Sequence, residues 1–157
     1  MFRTFVETPW GSFAIEGDEN GVTRLYLPNQ IAALDLQDPE VEGPLPWDFD
    51  RQMADYRDGK RRDWNLPFTL EGTAFQIAVW YACKDIPYGE TRTYSQLAEM
   101  AGYPGCARAV GQAMAENPLP LIIPCHRVIP ASGGIGNYAG GTELKQALLE
   151  LERQFHE

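Results

Sequence analysis

Two capping boxes constrain this chain more than any other feature. Thr73 is followed by Gln76, and Thr93 by Gln96, each ahead of an apolar run. In such a box the Thr hydroxyl accepts the Gln backbone N–H while the Gln side chain reaches back to the Thr N–H, so each pair marks a helix start. The first opens onto Phe75, Ile77, Val79 and Trp80; the second opens onto Leu97, Ala98 and Ala101, with Gly102 as the stop. The turn Tyr103-Pro104-Gly105-Cys106 leads into a further helix from about Ala107 to Glu116. Its inner face is Val110, Ala113 and Met114, and its outer face is Arg108, Gln112 and Ala115. Two short helices joined by a tight glycine-containing turn fit either a helix-turn-helix or an αα-hairpin inside a core.

The chain ahead of Gly72 reads differently. Phe2–Val6 alternates, Ser12–Glu16 alternates more weakly, and Val22–Leu27 is a third short run, with turn residues at 9–11 and 17–21. An antiparallel meander is expected. Residues 37–47, rich in Pro and acid, read as an exposed connection. Phe49–Tyr56 reads as a short helix ended by Gly59, and Leu66–Leu70 as an edge strand, since Pro67 cannot donate to a ladder. Composition changes at Gly72, which divides the chain into units 1–71 and 72–157. Beyond Asn117-Pro118, Leu121-Ile122-Ile123 is expected to be a buried strand running into Pro124-Cys125-His126-Arg127. A glycine-rich loop occupies 133–141. Thr142 is expected to cap a last helix with Leu144, Ala147, Leu148, Leu151 and Phe155 inward and Glu152 at the edge of that stripe. The fold class is α+β.

A length of 157 residues allows one domain or two small ones, and 44% hydrophobic with 22% charged residues is a soluble globular profile. Charges in Met1–Glu7 stand where a signal peptide would be apolar, and no apolar run approaches the ~20 residues of a membrane span. A cytoplasmic protein without membrane contact is expected. Cys83, Cys106 and Cys125 form no CxxC pair, and an odd count fits reduced thiols. Two histidines, His126 and His156, are too few for an ordinary Cys/His zinc site, so no metal is expected. The net charge of −9 speaks against a nucleic-acid partner, yet it is uneven. Residues 1–71 carry 7 Lys and Arg against 14 Asp and Glu; residues 72–157 carry 6 against 8. Any surface for DNA is therefore expected in the second half.

Cys125 precedes the one mid-chain histidine. A free thiol titrates near ~8.5, and a histidine held by a carboxylate can take its proton. Glu152 is the acid best placed to fold back as the third member. Neighbours in a regular strand point to opposite faces, so an irregular turn or a bridging water is needed to join Cys125 to His126. Cys125 also fits a buried small apolar residue, and sequence spacing alone does not overturn that reading. The loop at 133–141 lacks P-loop and GxGxxG spacing; it fits a plain turn, or a backbone that comes close to a flat ligand walled by Tyr138.

Together these runs resemble the O6-alkylguanine-DNA alkyltransferases, the methylated-DNA–protein-cysteine methyltransferases. The resemblance rests on Gly72–Gln76 with Val79-Trp80, Gly89-Glu90 with Thr93-Tyr94, Ala107–Gly111, Asn117-Pro118, Ile123–Ile129 and Gly136–Gly141 with Lys145 and Leu148-Leu149. It spans about 72–153, and the first third, with Thr8-Pro9-Trp10-Gly11, is similar by pattern alone. It implies a ribonuclease-H-like N-terminal α/β domain over 1–71. The DNA-binding and alkyl-acceptor domain, with a winged-helix-like helix-turn-helix, would be 72–157.

The implied reaction is single-turnover transfer of an alkyl group from O6-alkylguanine to Cys125, with no cofactor; activity on O4-alkylthymine is left open. Arg108 would fill the gap left by the flipped nucleotide, and Tyr94 would crowd the 3′ phosphate and bond the base. The helix-turn-helix would enter the minor groove of double-stranded DNA through Ala107, Gln112 and Ala115. Met114, Pro120 and Tyr138 would wall the base, with Lys145 at the same pocket. Backbone at Cys125 and Val128 would read its amine, and the Ala139 amide would face O6. Asn117 would brace the turn before the acceptor cysteine. His126 and Glu152 would activate Cys125 through water. Some relatives carry serine where this chain has Ala131 or Ala139, so hydroxyl contacts are absent there. A monomer is expected. The competing functions are a lesion-binding module without chemistry and a cysteine hydrolase; one-to-one loss of the alkyl group separates both from a single-use acceptor.

Overall fold

The alternating N-terminal runs become three strands, β1 (Phe2–Thr8), β2 (Gly11–Asp18) and β3 (Gly21–Tyr26), in antiparallel order β1-β2-β3. The computed structural model describes residues 2–34 and 46–156. Val6 pairs with Phe13 and Ile15 with Leu25, and all four are buried, as the period-2 pattern requires. Helix α1 (Phe49–Arg57) buries Phe49, Met53 and Tyr56. Gln52 on the same helix is also buried, yet fully bonded: its Nε2 donates to the Trp47 and Asn65 carbonyls and its Oε1 accepts the Asn65 N–H, each at 2.8 Å. The edge strand expected over Leu66–Leu70 reduces to one parallel bridge between Val22 and Phe68. Pro67 contributes only its carbonyl, which accepts the Val22 N–H at 2.9 Å; lacking an N–H of its own, it cannot extend the ladder. The connection read over 37–47 lies outside the described residues up to 45, and Pro46–Asp48 is a 3-10 turn.

The chain divides into Met1–Leu70 and Glu71–Glu157. The second unit contains α2 (Ala74–Lys84), β4 (Arg92–Thr93), α3 (Tyr94–Met100), α4 (Ala107–Ala115), β5 (Val128–Ile129) and α5 (Thr142–Gln154). Both capping boxes form. Thr73 Oγ1 accepts the Gln76 N–H at 3.1 Å and Gln76 Oε1 accepts the Thr73 N–H at 3.0 Å. Thr93 and Gln96 do the same at 3.1 and 2.9 Å. Such caps are worth about 1 kcal/mol each. Helix α3 ends in a Schellman turn, with the Gly102 N–H on the Glu99 carbonyl at 3.0 Å and the Tyr103 N–H on that of Ala98 at 2.9 Å. Val110, Ala113 and Met114 form the buried face of α4, and Trp80 Nε1 on α2 donates to the Ala113 carbonyl at 2.9 Å.

Three local expectations change. Leu121–Ile123 is buried but is not a strand. Leu121 sits at φ 74, and the Ile123 N–H returns to the Leu119 carbonyl at 2.8 Å. Prolines at 118, 120 and 124 remove the donors a strand would need, so the chain turns. Thr142 is the first residue of α5 and not its cap; Gly141 occupies the N-cap. The buried face of α5 is Lys145, Leu148 and Glu152, so Glu152 lies at the centre of that face, while Phe155, past the helix end, is 36% exposed.

Candidate functional site

Cys125, His126 and Arg127 form a single 3-10 turn, and the strand follows it: Val128 and Ile129 pair in parallel with Arg92 and Thr93. Cys125 therefore does not end a strand. The turn is the irregular backbone that joining these neighbours requires. Asn117 holds the segment ahead of it. Its Nδ2 donates to the Ile123 carbonyl and its Oδ1 accepts the Leu119 N–H, both at 2.9 Å.

Behind the turn lies a buried charge cluster. Glu152 Oε2 is 2.6 Å from His126 Nε2 and accepts Arg127 Nη2 at 3.1 Å. Its Oε1 accepts Arg127 Nε at 2.7 Å and the Gly89 N–H at 3.2 Å. Arg127 Nη1 donates to the Ile86 carbonyl at 2.8 Å, and the guanidinium stands 5.6 Å from the centre of the Tyr88 ring. All three side chains are buried. Burial alone would raise the Glu152 carboxyl; the neighbouring His126 and Arg127 overcome it and hold the group well below the usual carboxylate range. A carboxylate only accepts, so the proton between the pair sits on His126 Nε2 and the lone pair on Nδ1. Nδ1 is buried without a hydrogen-bond partner among the described residues. Burial pushes the His126 imidazole below its ordinary value against the pull of Glu152. Burial pushes the Cys125 thiol up to about 11, opposed by the Asn117 side chain and the Lys145 ammonium.

In front of the turn is a cleft of about 810 Å³. Tyr94, Ala107, Arg108, Gln112, Met114 and Ala115 line it from α3 and α4, Pro130 and Ala131 from just after β5, and Gly136, Asn137, Tyr138 and Ala139 from the glycine-rich loop; Cys125 lines it as well. Gly136 has φ 77, and a Cβ there would meet Pro130 Cδ at 2.8 Å, so this wall closes only with glycine. The Tyr138 hydroxyl is buried without a partner among the described residues.

Nine residues singled out in the sequence thus come together on one cleft: Tyr94, Ala107, Arg108, Gln112, Met114, Ala115, Cys125, Tyr138 and Ala139. His126 and Glu152 stand behind it. Asn117, Pro120, Val128 and Lys145 do not line it. Lys145 is fully buried, donating to the Val128 carbonyl at 2.7 Å and the Asn137 carbonyl at 3.2 Å, so it ties the turn to the loop from beneath. Sequence reasoning missed Arg127 and Gly89 as partners of Glu152. Both stood inside quoted motifs, but only the fold supplies the carboxylate that gives them a role.

The family model for the 6-O-methylguanine DNA methyltransferase, DNA binding domain, matches residues 74–154. The methylated-DNA–protein-cysteine methyltransferase of Mycolicibacterium paratuberculosis is 48% identical over 158 residues, spanning 98% of this chain and 92% of its own. The constitutive enzyme of that name from Bacillus subtilis is 41% identical over 158 residues, spanning 97% and 95%. The crystal structure of Mycobacterium tuberculosis OGT in complex with DNA superposes with a TM-score of 0.90 at 37% identity, covering 99% of this chain and 94% of that one. With the cysteine, its buried histidine–glutamate pair and the cleft already in hand, these likenesses mean that the chain belongs to the methylated-DNA–protein-cysteine methyltransferase family.

Proposed function

We propose that the protein repairs DNA by direct reversal, transferring the alkyl group of O6-alkylguanine irreversibly to Cys125, once per molecule. The observation that carries this reading is that Cys125 lines the cleft in front while the His126–Glu152 pair stands buried behind it. Double-stranded DNA meets the outer face of α4 through Ala107, Gln112 and Ala115 in the minor groove. Arg108 takes the place of the flipped nucleotide, and Tyr94 crowds the 3′ phosphate and bonds the base. Flipping costs a few kcal/mol, less for a weakened lesion pair. The base enters between Met114 and Tyr138 with the Ala139 amide toward O6. Pro120, Asn117, Val128 and Lys145 support that pocket from the second layer.

Cys125 Sγ then bonds the alkyl carbon as the carbon–O6 bond breaks. The thiol proton passes through water to His126 Nδ1, and the guanine leaves and takes up a proton. The thioether has no route back to the thiol. The steps call for no cofactor or metal. In this reading residues 72–157 bind DNA and accept the alkyl group, residues 1–71 form the N-terminal domain, and the protein acts as a cytoplasmic monomer. Among the described residues no helix is long and apolar enough to cross a membrane.

Incubation with an oligonucleotide containing O6-methylguanine should add one methyl mass to the peptide carrying Cys125, one per protein molecule. Cys125→Ala should abolish transfer and keep lesion binding. Methyl on Cys83 or Cys106 instead, or repeated turnover, would overturn the reading.

A further inference from the structure

The segment between α2 and β4 has no part in the reaction as written, yet it touches both halves of the buried ion pair. The Ile86 carbonyl holds Arg127 Nη1, the Tyr88 ring lies beside the guanidinium, and the Gly89 N–H reaches Glu152 Oε1. Resting on the proposed function, we infer that Gly89 is a positioning residue for alkyl transfer: its backbone N–H fixes the Glu152 carboxylate against His126, and only glycine can deliver that N–H.

The reason lies in the turn type. The Glu90 N–H returns to the Pro87 carbonyl at 3.1 Å, which makes Pro87–Glu90 a β-turn with Gly89 as its third residue. Gly89 has φ 79 while Tyr88 is not in the positive-φ region, and that combination is a type II turn. Types I and II differ by a flip of the central peptide, here Tyr88–Gly89. That peptide owns the N–H on Glu152. A residue that avoids positive φ favours type I and turns the N–H away from the carboxylate. A side chain at 89 meets a second obstacle, because its Cβ would overlap the ring and Cβ of His156, just beyond α5. The two ends of the link are thus locked from both sides. Glu152 Oε1 is shared by Gly89 and Arg127 Nε, and Oε2 by His126 and Arg127 Nη2. Without the Gly89 N–H, more of the carboxylate charge falls on His126, which raises the affinity of the imidazole for a proton and loosens its orientation. The other charges acting on His126 are Arg127 from its own turn and Lys145 from α5.

The test separates the N–H from the space that it occupies. Gly89→Ala should lower the single-turnover rate of methyl transfer about tenfold, the effect of losing one hydrogen bond to a charged group. Since that variant also carries strain, the deciding protein has glycolic acid in place of Gly89, which deletes the N–H and adds no side chain. Cys83 and Cys106, preceded by Ala82 and Gly105, are natural ligation points for assembling that full chain from three segments. In it the rate should fall several-fold and the acid limb of its pH profile should move to higher pH. The His126 imidazole, read by NMR beside the one other histidine, should titrate at higher pH too. In a Glu152→Gln background the same ester should leave both readouts still. A rate and a His126 midpoint equal to those of the natural chain would overturn the assignment. Failure of the natural chain to transfer would instead sink the proposed function, and the His126 titration would still decide the role of Gly89.

Discussion

Glu152→Gln changes one oxygen to an amide and should cost this protein much of its stability. The carboxylate is 1% exposed and Arg127 is 5% exposed, so the substitution leaves a guanidinium in the interior with no counter-ion. Breaking a buried pair by removing one partner costs about 3–5 kcal/mol. For a chain of this size that is a fall of about 6–20 °C in Tm. The pH dependence gives an independent check. The folded-state value of Glu152 is depressed, so its contribution is full above the unfolded value of about 4.5 and is lost as pH falls through the folded one. His126 is depressed as well, so its contribution begins to fade below about 6.5. The natural chain should lose stability in two stages on acidification, and Glu152→Gln should lack the lower one. Thermal unfolding followed by circular dichroism from pH 8 to pH 3 reads both. A variant within 2 °C of the natural chain at pH 7, with the lower stage intact, would refute the claim that this carboxylate neutralises Arg127.

Three further outcomes follow from the same geometry. Because burial lowers His126, the acid limb of single-turnover methyl transfer should lie below 6.5 and the rate should be flat above it, as rapid-quench measurements over pH 5–9 will test. Asn117→Ala removes the side-chain donor to the Ile123 carbonyl and the acceptor of the Leu119 N–H, and should destabilise by about 1–3 kcal/mol in urea titration. Arg108→Ala should slow transfer from duplex more than from a mismatched lesion pair that opens readily. Equal losses on the two substrates would remove Arg108 from the flipping step.

The features that were legible in the sequence are those whose cause is local. Each capping box closes within four residues, so Thr73 and Thr93 could be read without knowing what they pack against. The outer face of α4 followed from helical period alone, and Arg108, Gln112 and Ala115 do line the cleft. Leu121–Ile123 was misread because three apolar residues between prolines fit a strand or a turn equally, and the positive φ of Leu121 leaves no mark in composition. The stripe on α5 was misassigned for a deeper reason. Periodicity places apolar residues inward, but here Lys145 and Glu152 are buried beside Leu148. Their partners, Val128, His126 and Arg127, come from a different part of the chain, and the charge of each is tolerable inside only because of those partners.

One dry environment sets three protonation states that fit together. Desolvation favours the neutral form of a thiol and of an imidazole, so Cys125 rests as S–H and His126 as a neutral base with its lone pair on Nδ1. The same desolvation would also neutralise Glu152, were His126 and Arg127 not bound to its oxygens. The two together keep the carboxylate charged, and the carboxylate keeps the His126 proton on Nε2. In the proposed reaction that resting state cannot squander a thiolate on stray electrophiles. The nucleophile forms only when an alkylated base fills the cleft and the proton has somewhere to go. For a protein that consumes its acceptor cysteine in a single event, a thiol held near 11 is then protective, and the buried acid and base provide the route by which it reacts.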